Sequence, residues 1–293
     1  IRDSSTSRGL GFVYKRQGVN GMTMIHRRNL LKLSAGLPAL AAAPAIAAQP
    51  QAARAKTYVL AHGSWHGGWC WRPVADRLQA AGHRVYAPSF TGMGDRAHLL
   101  NPAITIDTFV EDLVQVIQSE ELNDVILVGH SFGGIPISGV ADRIPERLAH
   151  LVYFDSIVLQ SGQNAFSVYP KADADARIAA ASKATNGLAV PIPDPLPAAW
   201  GFKPGSADEA WVKRRLTAHP LASYTTPLTL KHPIGNGRPR TYIHCTQPEL
   251  PVLEESRKLV KSQPGWNWVD IAAPHEAHIT HPALLADLLL GLS

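Results

Sequence analysis

Gly129-His130-Ser131-Phe132-Gly133 fits the pattern Gly-x-Ser-x-Gly and stands directly between an apolar run at 124–129 (DVILVG) and a helical stretch that ends near Pro145. A serine on a strained strand-to-helix turn projects its hydroxyl above a sheet, and flanking glycines are needed because side chains there would collide with neighbouring backbone. The helix start behind it favours developing negative charge. Five residues of this kind recur by chance, and the plain alternative is a Gly-rich helix start with Ser131 as a mere cap. The strand-then-helix context selects the nucleophile. Such a serine needs a base, and PHEAHITHP near the C-terminus offers His275, His278 and His281. The base belongs in the loop just after the last strand, which places His275 first. His278 is the alternative, otherwise pocket wall, and His281 lies against Pro282 at the start of the final helix. Upstream, His62-Gly63-Ser64 follows the first strand and can turn a backbone N–H toward the same point as the N–H of Phe132, forming an oxyanion hole. The His62 ring is not needed for that chemistry and reads as a loop-bonding histidine.

The elements that must hold these residues alternate strand with helix. Residues 57–61 (TYVLA) read as a buried strand running into a Gly-rich loop. Pro73 opens a helix with Val74, Leu78 and Ala81 on one face, stopped by Gly82. A short strand at 84–87 follows. Thr108 and Glu111 offer a capping box for a helix carrying Ile106, Phe109, Val110, Leu113 and Ile117. After the serine come strands at 148–154, 240–245 and 266–272, helices near 253–262 and 282–290, and no internal repeat. Strands apolar on both faces and separated by helices imply a mostly parallel, doubly wound α/β sheet. Residues 160–239 break the rhythm with Pro191, Pro193, Pro195 and Pro197, scattered tryptophans and a polar helix at 207–218; they read as a cap inserted between sheet strands. Trp65, Trp69 and Trp71 read as core and pocket wall, and Asp95 with Arg96 as a loop-stabilising pair.

The 293 residues are 45% hydrophobic and 17% charged, which excludes a disordered, collagenous or disulfide-stapled chain. Seven of the 28 Lys and Arg and one of the 23 acids precede residue 49, leaving 21 bases against 22 acids in the remainder. The net charge of +5 therefore belongs to the leader, and no nucleic-acid partner is implied. Residues 26–48 (HRRNLLKLSAGLPALAAAPAIAA) carry a paired arginine, an Ala-rich apolar stretch broken by Pro38 and Pro44, and small residues at an AxA-type site. They predict a cleaved export signal rather than a stable membrane anchor. Arg27-Arg28 with Leu30, Leu31 and Lys32 resembles a twin-arginine signal, so the export machinery of that route is the expected partner and the bacterial periplasm or the exterior the expected destination. Residues 1–21 precede two candidate starts, Met22 and Met24, and stay outside the fold reasoning. The expected divisions are 1–48 (upstream segment and signal), 49–159 (core), 160–239 (cap) and 240–293 (core). Cys70 and Cys245 could pair in an oxidising compartment, but two buried free thiols are the expected state. No HExxH, paired CxxC or GxxxxGK[ST] is present, so neither metal nor nucleotide cofactor is implied.

VLAHGSWHGGWCW, TGMGDRAHLL, ILVGHSFGG, LVYFDS, RTYIHCT and PGWNWVDIAAPHEAHITHP together resemble the α/β-hydrolase superfamily, in its branch of plant methyl esterases, hydroxynitrile lyases and bacterial esterase relatives. The resemblance covers nearly all of 56–293 apart from the middle of the cap. It implies an α/β-hydrolase fold, places the catalytic histidine on His275 (the bacterial pattern is GHDAM, with His278 at the methionine), and puts the first oxyanion donor on the backbone N–H of Ser64. It also exposes a departure: the plant branch carries its acid where this chain has Pro248. Glu249 is adjacent but offset by one residue. Asp155 ends the strand after the nucleophile helix, a position from which some relatives take their acid, and it is the expected third member, with Glu249 the alternative. The implied activity is cofactor-free hydrolysis of small to medium carboxylic esters through an acyl-enzyme on Ser131. A hydroxynitrile-type carbon–carbon lyase is the alternative, although its lysine after the histidine is here Glu276. A ligand-binding receptor on the same fold comes third.

Overall fold

The computed structural model describes residues 55–292; the expected signal and the upstream segment lie outside them. Strand β1 (Thr57–Ala61) leads to α1 (Arg72–Ala80), β2 (Arg84–Tyr86), α2 (Ile106–Ser119) and β3 (Val125–His130). Helix α3 (Gly134–Arg143) then returns the chain to β4 (Leu148–Phe154). A cap follows, made of α4 (Lys171–Thr185), β5 (Ala189–Val190), α5 (Ala207–Lys213), β6 (His219–Pro220) and α6 (Leu221–Thr225). The core resumes with β7 (Arg240–Cys245), α7 (Glu254–Ser262), β8 (Trp266–Ile271), α8 (Ala277–Thr280) and α9 (Pro282–Gly291).

Six strands form one parallel sheet in the order β2-β1-β3-β4-β7-β8, while β5 and β6 make a separate antiparallel pair. The register sets Thr57 beside Val125 and Ala61 beside Gly129, so β1 and β3 end level with each other. Every residue of β1 and β3 is buried, as apolar runs without alternation require when helices cover both faces. Right-handed crossovers explain the two layers. The chain leaves β1 toward β2 in one direction and afterwards builds outward through β3, β4, β7 and β8 in the other, so α1 packs with α9 and α2 packs with α3. The reversal leaves a crevice beyond the carboxyl ends of β1 and β3, where ligands settle in open α/β sheets.

Local readings shift in three places. Helix α2 begins at Ile106, with Thr105 as N-cap and Thr108 as its capping-box partner, rather than at Thr108 with Glu111. Ile106 is buried, so the first turn is drawn into the core and the cap moves back three residues. Ala81 falls beyond the end of α1 and is exposed. Helix α5 stops at Lys213, short of 218, because the chain is captured by tertiary bonds: the Thr217 N–H donates to the Trp65 carbonyl at 2.9 Å, and His219–Pro220 pairs with β5. Helix α4 was not expected, because its Ala- and charge-rich repeat lacks an apolar stripe. Cys70 and Cys245 are buried free thiols, and burial pushes both thiol pKa values up. Among the described residues no helix is long and apolar enough to cross a membrane.

Candidate active site

Ser131 follows the last residue of β3 and has φ of +53°, the left-handed region that a side chain seldom adopts. The turn is that tight because its neighbours are glycines: a Cβ on Gly129 would lie 2.5 Å from the Gly133 carbonyl oxygen, and one on Gly133 would lie 2.8 Å from the carbonyl oxygens of both Ala61 and His62. Those two carbonyls belong to the exit of β1, so the glycines clamp the serine turn against the 62–64 loop. A Cβ on Gly63 would in turn meet the Ser131 Cβ at 2.9 Å. Ser131, Ser64 and His275 line one cavity of about 60 Å³, which is far smaller than the roughly 300–1,000 Å³ of typical small-molecule sites.

Asp155 follows β4, fully buried and with φ of +40°. Its backbone N–H donates to the Ile243 carbonyl at 2.7 Å, and its Oδ1 accepts from the Cys245 N–H at 3.3 Å, so β7 fixes the carboxylate from the side. Its Oδ2 stands 2.6 Å from His275 Nδ1. A carboxylate only accepts, so the imidazole proton sits on Nδ1 and leaves Nε2 as the basic nitrogen. The cap holds the histidine loop in place: the His275 N–H donates to the Ala199 carbonyl at 3.1 Å, and the His275 carbonyl takes a bond from His130 Nε2 at 3.0 Å. The structure thus brings together Ser131, His275 and Asp155. It does not bring Glu249 to the imidazole. That carboxylate is half exposed and faces Arg257 Nη2 at 3.4 Å and His244 Nε2 at 3.5 Å.

Of the two expected oxyanion donors, Ser64 lines the cavity, with its hydroxyl bonded to the Tyr224 hydroxyl at 2.6 Å. Phe132 stands in the turn that enters α3, its ring buried against His219 and Tyr224. His62 is fully committed to its loop: Nδ1 donates to the Gly63 carbonyl at 2.8 Å and Nε2 accepts the Phe90 N–H at 3.0 Å. Asp95 and Arg96 do not form a pair. Adjacent side chains on a helical turn diverge, and the Arg96 guanidinium reaches Asp112 at 3.1 Å instead.

Behind His275 lies a group that spacing alone did not reveal. Glu276 is fully buried, and burial pushes its carboxyl pKa up to about 7. Its Oε2 faces His66 Nε2 at 3.6 Å and His278 Nε2 at 3.5 Å. His278 is sandwiched between Trp71 at 4.8 Å and His130 at 4.4 Å between ring centroids. Burial holds the pKa of His66, His130 and His278 well below the usual histidine range, so these rings are neutral. His130, Glu276 and His278 bring ligand-type atoms within 4.8 Å of one another. The His130 and His278 rings meet as tilted faces, which serves packing, whereas metal-binding imidazoles aim their nitrogens at a common centre. The one sequence sign of this group was the His-Glu-x-His run itself.

A serine on a strained turn, an imidazole lining the same cavity and a buried carboxylate behind that imidazole define a hydrolase of the nucleophile-elbow kind. The model of the alpha/beta hydrolase family matches residues 58–288, and the chain belongs to that family. It is 39% identical over 243 residues to a carbendazim hydrolyzing esterase of Nocardioides sp., an alignment that spans 80% of this chain and 98% of that protein. Methylesterase 2 of Arabidopsis thaliana is 26% identical over 269 residues, covering 82% of this chain and 97% of its own. Among solved structures, an extracellular alpha/beta-hydrolase from a Paenibacillus species superposes with a TM-score of 0.70 at 24% identity, over 80% of this chain and 98% of that one. With esterases aligned over nearly their full lengths, this chain is an enzyme of the ester-hydrolysing type.

Proposed function

We propose that the enzyme hydrolyses small to medium carboxylic esters through an acyl-enzyme on Ser131, with no cofactor. The cavity of about 60 Å³ holds only the reacting ester group, so the rest of such a substrate is accommodated by movement of the cap residues that line it. Ser131 Oγ attacks the acyl carbon as His275 Nε2 takes its proton, and the carbonyl π electrons move to oxygen. The backbone N–H groups of Ser64 and Phe132 bind that oxyanion. Its collapse expels the alcohol, which receives the proton from His275, and the acyl group remains on Ser131. Water attacks next, giving up a proton to His275, and the acid leaves as Ser131 recovers its hydrogen. Asp155 holds the Nδ1–H tautomer throughout and stabilises the imidazolium. The observation that carries this reading is the 2.6 Å Asp155–His275 contact behind a cavity shared by His275 and the strained Ser131.

The experiment is release of p-nitrophenol from short p-nitrophenyl esters, run beside cleavage of mandelonitrile. Ester turnover without nitrile turnover is the expected result. Mandelonitrile cleavage alone would favour the lyase alternative, and neither activity would favour a receptor. Glu276 supports the first outcome, since a buried acid next to His275 disfavours a cyanide anion there.

We also propose that residues 26–48 are a cleaved twin-arginine signal, with the enzyme acting in the periplasm or outside the cell. Arg27→Lys with Arg28→Lys conserves charge but removes the recognition pair. Export of that double variant at the normal rate would overturn the assignment; its retention in the cytoplasm is expected.

A further inference from the structure

The catalytic steps leave unused the one cation that lines the cavity among the described residues. Helix α4 of the cap sets Arg177 in the wall of the cavity that holds Ser131 and His275. Its guanidinium lies 4.8 Å from the centroid of the Tyr169 ring and 5.5 Å from that of Trp65. A cation–π contact spends none of the guanidinium's N–H donors on a hydrogen bond to an oxygen acceptor. No acid among the described residues takes them: Asp173, one turn earlier on α4, forms no ion pair with Arg177. The positive charge is felt within the wall. Burial pushes the pKa of Tyr169 and Tyr224 up and Arg177 opposes the rise, while His219 is held neutral by burial with Arg177 adding to the effect. The acid in this wall is Glu276, on the His275 side. Much of the remaining lining is apolar, including Ile157, Trp200, Leu250 and Val252.

We propose that Arg177 binds a carboxylate carried by the substrate, so that the favoured substrates are short esters with a free carboxylate at the far end of the acyl chain, such as monoesters of short dicarboxylic acids. This rests on Ser131 being the nucleophile. The guanidinium fork matches a carboxylate in a bidentate manner, and such charge-assisted bonds are about twice as strong as neutral ones. Two aromatic faces hold the fork in place before the ligand arrives, so little side-chain freedom is lost on binding. The competing role is a latch, in which Arg177 only pins α4 to the 62–65 loop by cation–π contact. A latch gives no preference for charge in the substrate.

The test compares p-nitrophenyl hemiglutarate with its neutral isostere p-nitrophenyl 5-methylhexanoate. The wild type is expected to favour the anionic ester at least tenfold in kcat/KM, and the preference should shrink as salt rises. Arg177→Gln should lower the ratio of the two kcat/KM values at least tenfold, chiefly through KM for the anionic ester, and Arg177→Lys should restore part of it. A wild-type ratio of one or less, or a ratio unmoved by Arg177→Gln, would overturn the proposal. Glutarate binding, followed by quenching of tryptophan fluorescence in wild type and Arg177→Gln, gives a readout that needs no turnover. Glutarate binding lost in the variant, with neither ester hydrolysed, would sink the esterase reading and keep the carboxylate site. Brisk hydrolysis of the neutral ester with no glutarate binding would do the reverse.

Discussion

Replacing Asp155 by Asn separates charge from shape at the centre of the site. The side chain is buried, and its Oδ1 accepts the Cys245 N–H, so an isosteric amide can keep that bond by placing its oxygen there. The NH2 group must then face His275 Nδ1, where the carboxylate now stands at 2.6 Å. Two donors cannot share that contact, so the imidazole is driven to the tautomer with its proton on Nε2 and has no lone pair for Ser131. The imidazolium of the transition state also loses its counter-charge. A loss on the order of 10³ to 10⁴ in kcat is expected, with KM much less affected. Burst kinetics with a p-nitrophenyl ester would show the slowed acylation directly, and thermal unfolding would show whether the fold survives. Glu249→Gln serves as the control. Its carboxylate is half exposed and faces Arg257 and His244, so less than about a tenfold loss is expected. The reverse ranking would refute the reasoning and place the acid after β7. Small losses from both would mean a Ser131–His275 dyad oriented by backbone.

Three further outcomes follow from the same geometry. Gly133→Ala places a methyl 2.8 Å from two carbonyl oxygens of the β1 exit; overpacking of this kind costs about 1–3 kcal/mol, so Tm should fall by roughly 2–12 °C and activity with it as the 62–64 loop shifts. Glu276 has its folded pKa raised by burial to about 7 from 4.5. The folded state therefore binds this proton more tightly, and the stabilisation is whole below pH 4.5 and lost as pH climbs to 7. Relative to Glu276→Gln, the wild type should lose of order 3 kcal/mol between pH 4.5 and 8 in urea unfolding, and a flat difference would contradict the burial argument. Iodoacetamide should leave the native enzyme unmodified, since Cys70 and Cys245 are buried with raised pKa values; rapid alkylation before unfolding, read by intact mass, would contradict it.

Much of the core was legible because its signals are local. An unbroken apolar run such as 125–128 that ends in a Gly-rich turn reads as a strand covered on both faces, and the glycines around Ser131 mark a turn where a Cβ would strike backbone. The acid was harder. Pro248 fills the position suggested by resemblance, and only the placement of β4 beside β7 brings Asp155 within reach of a loop 120 residues away in sequence. The cap was the least readable part. Helix α4 has no apolar stripe, and Arg177, the residue it lends to the cavity, is placed by tertiary contacts that leave no periodic trace. The Glu276 group was hidden for a related reason: His66 comes from the loop after β1, His130 from the end of β3 and His278 from α8, and they meet only when the sheet is assembled.

The central claim is that Ser131 carries the acyl group, and covalent capture tests it most directly. The enzyme would be treated with a fluorophosphonate or a sulfonyl fluoride, digested and sequenced by tandem mass spectrometry. A single adduct on Ser131, formed as activity falls in proportion and absent from Ser131→Ala, is the result expected. An adduct on another residue, or an Ser131→Ala enzyme that keeps more than a few per cent of its activity, would contradict the account.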